Sequence, residues 1–243
     1  MKKIIIGLIA AVFMALNSSA PTAGYALAKE RELPIYRVDR GDNIISISFD
    51  CAWGDEYTDE LLSVMDEYGV KCTFFMVEFW AKKYPGKVKE IIERGHEIGT
   101  HSKTHPHMKK MSEENIKTEL ESSVKAIEDI TGKKVELFRA PFGEYDDKVI
   151  STAKSLGLYT IQWDVDSLDW KNLSANEIAD RIIKRVKSGS IILCHNNGLH
   201  TAESLPIIFR ALKEKGFVFQ PIGALIYKKD YKILPDGTQT KAA

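Results

Sequence analysis

The sequence has few of the features that define several large protein classes. It contains only three cysteines in 243 residues, and 34 basic side chains are balanced by 34 acidic ones. A small, odd number of cysteines argues against a disulfide-rich framework. The lack of a basic excess argues against nucleic acid or an anionic membrane surface as the main partner. No serine lies in a GxSxG motif, so a serine hydrolase of that type is not indicated.

Long apolar runs are also missing, except near the N-terminus. Lys2 and Lys3 precede the run IIIGLIAAVFMAL, and a small-residue region follows that ends in Ala-Leu-Ala at Ala28. This pattern predicts a secretory signal peptide over residues 1–28. The run is shorter than the roughly 20 residues of a membrane-spanning helix, so an uncleaved anchor is the less favoured alternative. We therefore expect a secreted or cell-envelope, extracytoplasmic protein without a stable membrane span after signal removal.

A lead-in segment (29–42) is followed by a repeating pattern of β-rich run, turn and amphipathic helix over residues 43–224. This alternation predicts right-handed βαβ units and a mostly parallel sheet in a single α/β domain. The spacing suits a closed barrel and an open doubly wound sheet equally well. Residues 225–243 are expected to form a peripheral C-terminal tail with a disordered end. The predicted strands are 44–49, 72–77, 96–101, 137–140, 159–164, 190–195 and 217–222.

Polar residues follow these strands at the points where they end. In a parallel α/β barrel all of these strand ends lie at one rim, which is where active sites are built. Packing alone gives no reason for carboxylates, imidazoles and a guanidinium to gather there. The convergence therefore predicts a catalytic site. The residues are Asp50, His101, His105, Arg139, Asp169 and His195.

The chemistry of these residues indicates a hydrolytic site. His101 and His105 are four residues apart and have the spacing of metal ligands, although a polar loop with hydrogen-bonded histidines is the alternative. Asp50 beside a metal-bound water is a candidate general base, with an N-cap or a salt bridge to Arg139 as its structural alternatives. His195 is a candidate acid, and Asp169 is placed to raise its pKa and set its tautomer.

With these residues assembled, the chain resembles the polysaccharide deacetylases, which are carbohydrate esterase family 4 with its NodB-homology domain. The resemblance covers nearly all of residues 43–224. It implies a distorted (β/α) barrel with about seven parallel strands. The motifs are SFDCAWG for the family's TFDDG, HSKTHP for H[ST]xxH, RAPFG for RxP[YF]G, DSLDW for DxxDW, and LCH for LxH. The FDxxWG form is similar to a PdaB-like, spore-associated branch.

The resemblance also implies a mechanism and a set of partners. The expected function is exported, metal-dependent N-deacetylation of an N-acetylated glycan, such as peptidoglycan or cortex glycan, with release of acetate. A divalent metal, with zinc expected and cobalt, manganese or magnesium as alternatives, would be bound by His101 and His105. The resemblance implies that Asp50 is the base, oriented by Arg139, and that His195 is the acid, tuned by Asp169. It further implies an oxyanion-binding backbone N–H at Phe142 and an acetyl pocket lined by Trp170 and Leu193.

Cys51 is the departure from the family pattern, because relatives with full metal sites have a second aspartate there. As a thiolate, Cys51 could ligate zinc in a Cys/His/His set. Alternatively Asp55, Glu56 or water could take the third position. In a third interpretation Cys51 packs as a small apolar side chain, and the metal is weak or absent. The alternative function is therefore a catalytically weak or inactive carbohydrate-binding homologue of the same fold.

Overall fold

The computed structural model describes residues 31–242, so the signal peptide predicted for residues 1–28 lies outside the described part of the chain. In the described part, a parallel sheet is accompanied by helices and a small three-stranded sheet. None of the helices within residues 31–242 is both long and apolar enough to cross a membrane.

The elements alternate between strand and helix along most of the chain. The strands are β1 (Arg37–Val38), β2 (Ile44–Cys51), β3 (Thr73–Met76), β4 (Glu97–Thr100), β5 (Leu137–Phe138), β6 (Tyr159–Thr160), β7 (Val165–Asp166), β8 (Ile191–His195), β9 (Val218–Phe219), β10 (Tyr231–Ile233) and β11 (Thr238–Lys241). The helices are α1 (Thr58–Glu67), α2 (Glu78–Lys83), α3 (Pro85–Glu93), α4 (Glu113–Thr131), α5 (Asp147–Ser155), α6 (Ala175–Ile183), α7 (Thr201–Glu214) and α8 (Ile222–Leu225). Short 3-10 turns cover Met108–Lys110, Pro141–Gly143 and Asp169–Lys171.

The main sheet has the strand order β6-β5-β4-β3-β2-β8-β7, and β9 also pairs with β2. All of these pairings are parallel. The seven strands of this path form a curled half-barrel, which confirms the predicted distorted barrel. Because β2 is central, its carboxyl end lies between those of β3 and β8. The register places Asp50 beside Phe75 on one side and beside His195 on the other.

The alternation of side chains along β2 divides its residues between two environments. Ile45, Ile47 and Phe49 pack into the larger apolar core, together with Leu61 and Leu62 of α1. The residues between them are polar. The Ser46 and Ser48 hydroxyls donate to the carbonyls of Gln220 and Ile192 at 2.6 and 2.7 Å. The face that carries these serines therefore also carries Asp50.

The lead-in segment connects the chain just after β6 with the start of β8. Ile35 forms a bridge with Ile161, and Arg37 forms one with Ser190 at the start of β8. The backbone N–H of Val38 donates to the carbonyl of Gly189 at 2.9 Å. These bonds satisfy backbone groups that would otherwise form open edges.

Two parts of the fold differ from the sequence-based expectation. Of the predicted strand 159–164, only Tyr159–Thr160 forms a strand (β6), and β7 begins after it at Val165. Between the two, the Asp164 carboxylate accepts bonds from the Ser190 hydroxyl and the Ile191 N–H at 2.9 Å, which hold the chain against the start of β8. The expectation of a disordered end after residue 224 is wrong. There β10 and β11 form a hairpin, β11 pairs with β1, and Gln239 of β11 is fully buried. Pairing with the lead-in strand is a long-range contact that the local sequence does not reveal.

Gly189 provides a test of the contact between the lead-in segment and β8. Its φ is +79°, and an added Cβ would lie 1.7 Å from the Val38 carbonyl oxygen. We expect Gly189→Ala to lower the free energy of unfolding by about 2 kcal/mol or more, since a left-handed alanine alone costs about 1 kcal/mol and the backbone clash adds to it. Urea denaturation measures the change.

Gly132 is the matched control for this substitution. It is also left-handed, with φ +64°, but an added Cβ meets nothing within 4 Å. Gly132→Ala should therefore show only the conformational cost, about 1 kcal/mol. Equal losses of stability in the two variants would contradict a tight contact at Val38.

Candidate active site

The site is built around a buried ion pair at the end of β2. One oxygen of Asp50, Oδ1, accepts a hydrogen bond from Nη1 of Arg139 at 2.8 Å. Arg139 is fully buried, and its guanidinium lies 4.2 Å from the centre of the Phe75 ring. Burial raises the pKa of Asp50, but the charge of Arg139 outweighs this effect and holds the pKa below its ordinary value. The carboxylate is therefore ionised, as a general base must be.

His101 faces the second oxygen of this carboxylate. Its Nδ1 lies 2.8 Å from the Arg139 carbonyl oxygen, which can only accept, so Nδ1 carries the proton. The unprotonated Nε2 then lies 3.5 Å from Oδ2 of Asp50. Burial lowers the pKa of His101, and the ring is neutral. Two acceptors thus face each other, an arrangement that favours a cation or a water that donates to both.

His105 stands beside His101 at the end of the same loop. The two ring centroids are 4.9 Å apart. Burial and the neighbouring His101 lower the pKa of His105 to about 4, so this ring is also neutral at neutral pH. Metal ligation requires neutral imidazoles, and both histidines meet that condition.

Cys51 lies on the other face of β2 from Asp50. It is fully buried in the larger apolar core with Ile47, Phe49 and Trp80. Burial raises the pKa of its thiol well above the ordinary value, and the charge of Asp50 raises it further. A thiol that packs in the core, on the face of β2 away from Asp50, is not placed to ligate a metal. The geometry therefore favours the interpretation of Cys51 as an apolar packing residue and does not support it as a metal ligand.

The chain's own residues fit a divalent metal only in part. His101 and His105 would hold the ion, and the free Nε2 of His101 is the observation that fits this role. Within residues 31–242 there is no group of three or more His, Cys, Asp or Glu side chains arranged to hold a metal ion. Among these residues a third protein ligand, the role for which Cys51 was one of the candidates, is therefore missing.

The second half of the site is a histidine–carboxylate pair at the end of β8. Nδ1 of His195 donates to Oδ1 of Asp169 at 2.7 Å, which leaves Nε2 for a substrate. Asp169 is fully buried and also accepts from the His195 N–H and the Thr201 hydroxyl, at 2.7 and 2.8 Å. Burial lowers the pKa of His195, but the hydrogen bond and charge of Asp169 outweigh it and raise the pKa above its ordinary value. A raised pKa favours the protonated form of His195, which is the form that a general acid requires.

Aromatic and apolar side chains surround these groups. Leu193 is buried on β8, two residues before His195 and therefore on the same face of the strand. Phe142 and Trp170 are more than half exposed, at 56% and 57%. Phe142 has a left-handed backbone, with φ +60°, and its ring contacts that of His105 at a centroid distance of 4.5 Å. All of the site residues expected from the sequence except Cys51 thus gather at one rim.

Sequence reasoning missed three residues that contact this site. Trp53 is 57% exposed, and its ring lies edge-on to His105 at 4.9 Å. Its position two residues after Cys51 in the first motif is a signal that could have identified it. Thr201, which donates to Asp169, and Glu119, which binds the loop between the two histidines, have no such signal.

The chain is similar to known proteins over most of its length. The model of the polysaccharide deacetylase family matches residues 37–161. The peptidoglycan-N-acetylglucosamine deacetylase of Bacillus cereus is 33% identical, over 80% of this chain and 93% of the relative. The chain belongs to the polysaccharide deacetylase family. This is a hydrolase family that acts on amide bonds, and it is generally metal-dependent.

Two relatives from Bacillus subtilis are similar to the chain at comparable identity. The peptidoglycan-N-acetylmuramic acid deacetylase PdaA of Bacillus subtilis is 31% identical, over 90% of this chain and 85% of the relative. The uncharacterized protein YlxY of Bacillus subtilis is also 31% identical, over 79% of this chain, but the chain spans only 60% of its length.

Solved structures of the polysaccharide deacetylase family superpose closely on the chain. The Bacillus anthracis protein BA3943, described as a CE4 family pseudoenzyme, has a TM-score of 0.77 at 33% identity, covering 79% of this chain and 68% of that one. A BA3943 mutant described as having restored enzymatic activity has the same TM-score at 34% identity, covering 79% and 70%. PdaA of Bacillus subtilis has a TM-score of 0.75 at 30% identity, covering 79% and 84%.

The pairing of His195 with Asp169 can be tested by titration. We expect Asp169→Asn to lower the pKa of His195, because the variant loses the carboxylate charge that raises it. NMR titration of the ring measures this change. The raised pKa stabilises the folded protein at pH values below the ordinary histidine pKa. This contribution is lost as the pH rises through the raised pKa. The difference in free energy of unfolding between wild type and Asp169→Asn should therefore be larger below the ordinary histidine pKa and become smaller as the pH rises.

Asp180→Asn serves as the control, since Asp180 lies on the exposed face of α6 and pairs with Lys184. This variant should leave the pKa of His195 unchanged. An unaltered His195 titration in Asp169→Asn would contradict the assignment.

Proposed function

We propose that this chain is an exported, metal-dependent N-deacetylase that hydrolyses N-acetyl groups on an amino-sugar polymer of the peptidoglycan type and releases acetate. The observation that carries the proposal is that a candidate base and a candidate acid lie side by side on the neighbouring strands β2 and β8. An ionised carboxylate, Asp50, ends β2, and a histidine with a raised pKa, His195, lies beside it in the register of β8. Amide hydrolysis needs both a base and an acid, because the attacking water must lose a proton and the leaving amine must gain one.

Each residue has a defined part in the reaction. Asp50 accepts a proton from the water whose oxygen forms a bond with the acetamide carbon, while Arg139 keeps the carboxylate in place. The backbone N–H of Phe142 donates to the carbonyl oxygen as negative charge develops on it. His195 then donates its Nε2 proton to the nitrogen as the C–N bond breaks. Trp170 and Leu193 line the acetyl pocket, and the products are acetate and a free amino sugar.

His101 and His105 would hold the divalent ion in this proposal. When bound, such an ion supplies Lewis-acid polarisation of the carbonyl and lowers the pKa of water. Zinc suits imidazole ligands, with cobalt, manganese or magnesium as alternatives. Because the two histidines are neutral and the Nε2 of His101 is unprotonated, neither ring has to lose a proton to bind the ion.

A second candidate function is a catalytically silent glycan-binding protein. The burial of Cys51 in the apolar core favours it, since the third metal ligand of a full site is then missing. The similarity to BA3943, which is described as a pseudoenzyme, also supports this candidate. The retained base and acid favour the enzyme, because binding a sugar requires neither.

Acetate release distinguishes the two candidates. The purified protein is incubated with N-acetylated peptidoglycan or chitooligosaccharide and with zinc, cobalt, manganese or magnesium. We expect release of acetate, and Asp50→Asn should lower kcat by about 10²- to 10⁴-fold because the base is lost. The exposed Asp180→Asn should retain wild-type kcat. Glycan binding without acetate release under any of the four metals would instead establish the silent binder.

The identity of residue 51 gives a separate prediction. Cys51→Asp should increase acetate release supported by magnesium, manganese or cobalt. An ionised carboxylate is unstable in the apolar core, so it should turn toward the imidazoles, and it supplies the oxygen ligand that these metals prefer. Acetate release is measured for each metal in turn, and a lower rate in Cys51→Asp would contradict the prediction.

Cys51→Ser should leave zinc affinity, measured by calorimetry, unchanged, since the thiol lies in the core. Cys72→Ser, at an equally buried cysteine, is the matched control for the cost of a polar group in that core. A loss of zinc affinity in Cys51→Ser but not in Cys72→Ser would instead support the Cys51 thiolate as a zinc ligand.

A further inference from the structure

The loop that carries both site histidines has an unusual backbone. It runs from His101 at the end of β4 to His105, and it contains two left-handed residues that are not glycine. Ser102 has φ +74°, and His105 has φ +56°. Residues with a Cβ avoid this conformation, so the loop needs contacts from outside to hold it.

Glu119 of α4 supplies these contacts. Its Oε2 accepts hydrogen bonds from the backbone N–H groups of Lys103 and Thr104 at 2.9 and 2.8 Å. Its Oε1 accepts the Thr104 hydroxyl at 2.8 Å. One carboxylate therefore binds two consecutive peptide groups midway between the two histidines.

A second contact from the same helix reinforces the first. Ser123 lies four residues after Glu119 and therefore on the same face of α4. Its hydroxyl is 2.6 Å from that of Thr100, which in turn accepts the Ser102 N–H at 3.2 Å. Within the loop, the His105 N–H donates to the Ser102 hydroxyl at 3.0 Å. Helix α4 thus contacts Thr100, just before the loop, and the middle of the loop at Lys103 and Thr104.

Packing does not explain a carboxylate at position 119. The residue is 92% buried, since only 8% of its surface is exposed, and a buried charge is costly unless hydrogen bonds compensate it. Ile116, Leu120 and Ile127, which are the fully buried large side chains of α4, are apolar. Glu119 therefore breaks the apolar pattern at the one position that faces the peptide groups of the loop.

We propose that Glu119 is a positioning residue that fixes the loop from His101 to His105 so that both imidazoles face Asp50. It acts through the loop, because its carboxylate binds Lys103 and Thr104 and not the histidine rings. Its effect on catalysis rests on the proposed deacetylase function. Its effect on the loop does not, so the two can be tested separately.

The test compares Glu119→Ala, Glu119→Gln and Glu121→Ala. Glu121 lies on the same helix but is exposed and only 3.7 Å from Lys117 at the surface. Backbone hydrogen exchange at Lys103 and Thr104 and the ring NMR signals of His101 and His105 report on the loop. The melting temperature reports on the whole fold, and zinc calorimetry and acetate release report on function.

We expect Glu119→Ala to speed exchange at Lys103 and Thr104 by about tenfold or more, because each N–H loses a charged acceptor. The ring signals of both histidines should shift, and zinc affinity should fall by about tenfold or more. Glu119→Gln should give a smaller effect, since its amide oxygen can still accept both N–H groups. Glu121→Ala should match wild type in every measurement.

Unchanged loop exchange and histidine signals in a folded Glu119→Ala variant would overturn the proposal. Exchange that accelerates equally throughout the chain would also overturn it, since that result indicates a general contribution to stability. If Glu119→Ala does not fold, Glu119→Gln decides by the same measurements. A local change in the loop with no acetate release from wild type would support the positioning role while refuting the deacetylase function.

Discussion

The buried ion pair between Asp50 and Arg139 is the interaction on which the rest of the site depends. The Arg139 side chain binds Asp50, while its backbone carbonyl accepts Nδ1 of His101. One residue at the end of β5 thus holds the base and sets the tautomer of the histidine that faces it. Leaving either charge of such a buried pair without its partner typically costs about 3–5 kcal/mol. The pair therefore stabilises the site and also keeps the carboxylate ionised.

The register of β2 and β8 extends this organisation to the acid. Because Asp50 and His195 lie side by side on neighbouring parallel strands, a base and an acid end up on the same rim. Their surroundings adjust them in opposite directions, since cationic neighbours favour an ionised Asp50 and Asp169 favours a protonated His195. Two groups with pKa values set in this way can move protons in both halves of an amide hydrolysis.

The direction of the Cys51 side chain follows from its place on β2. On a strand, successive side chains point to opposite faces, so the residue after Asp50 faces the helices unless a strong interaction draws it back. A thiol has little to gain at the polar rim and packs well among apolar side chains. A carboxylate in the same place would be driven out of the core.

Much of this protein could be predicted from its sequence. The strand–helix alternation predicted the parallel sheet, and the polar residues after each strand predicted the groups that meet at the rim, because the ends of parallel strands share one edge. Local sequence could not show the hairpin of β10 and β11 or the role of Glu119, since both depend on contacts between distant parts of the chain. Nor could it show which way Cys51 points. The motifs determined which chemical groups are available, and the tertiary structure decided which of them meet, because burial and pairing are properties of the folded chain.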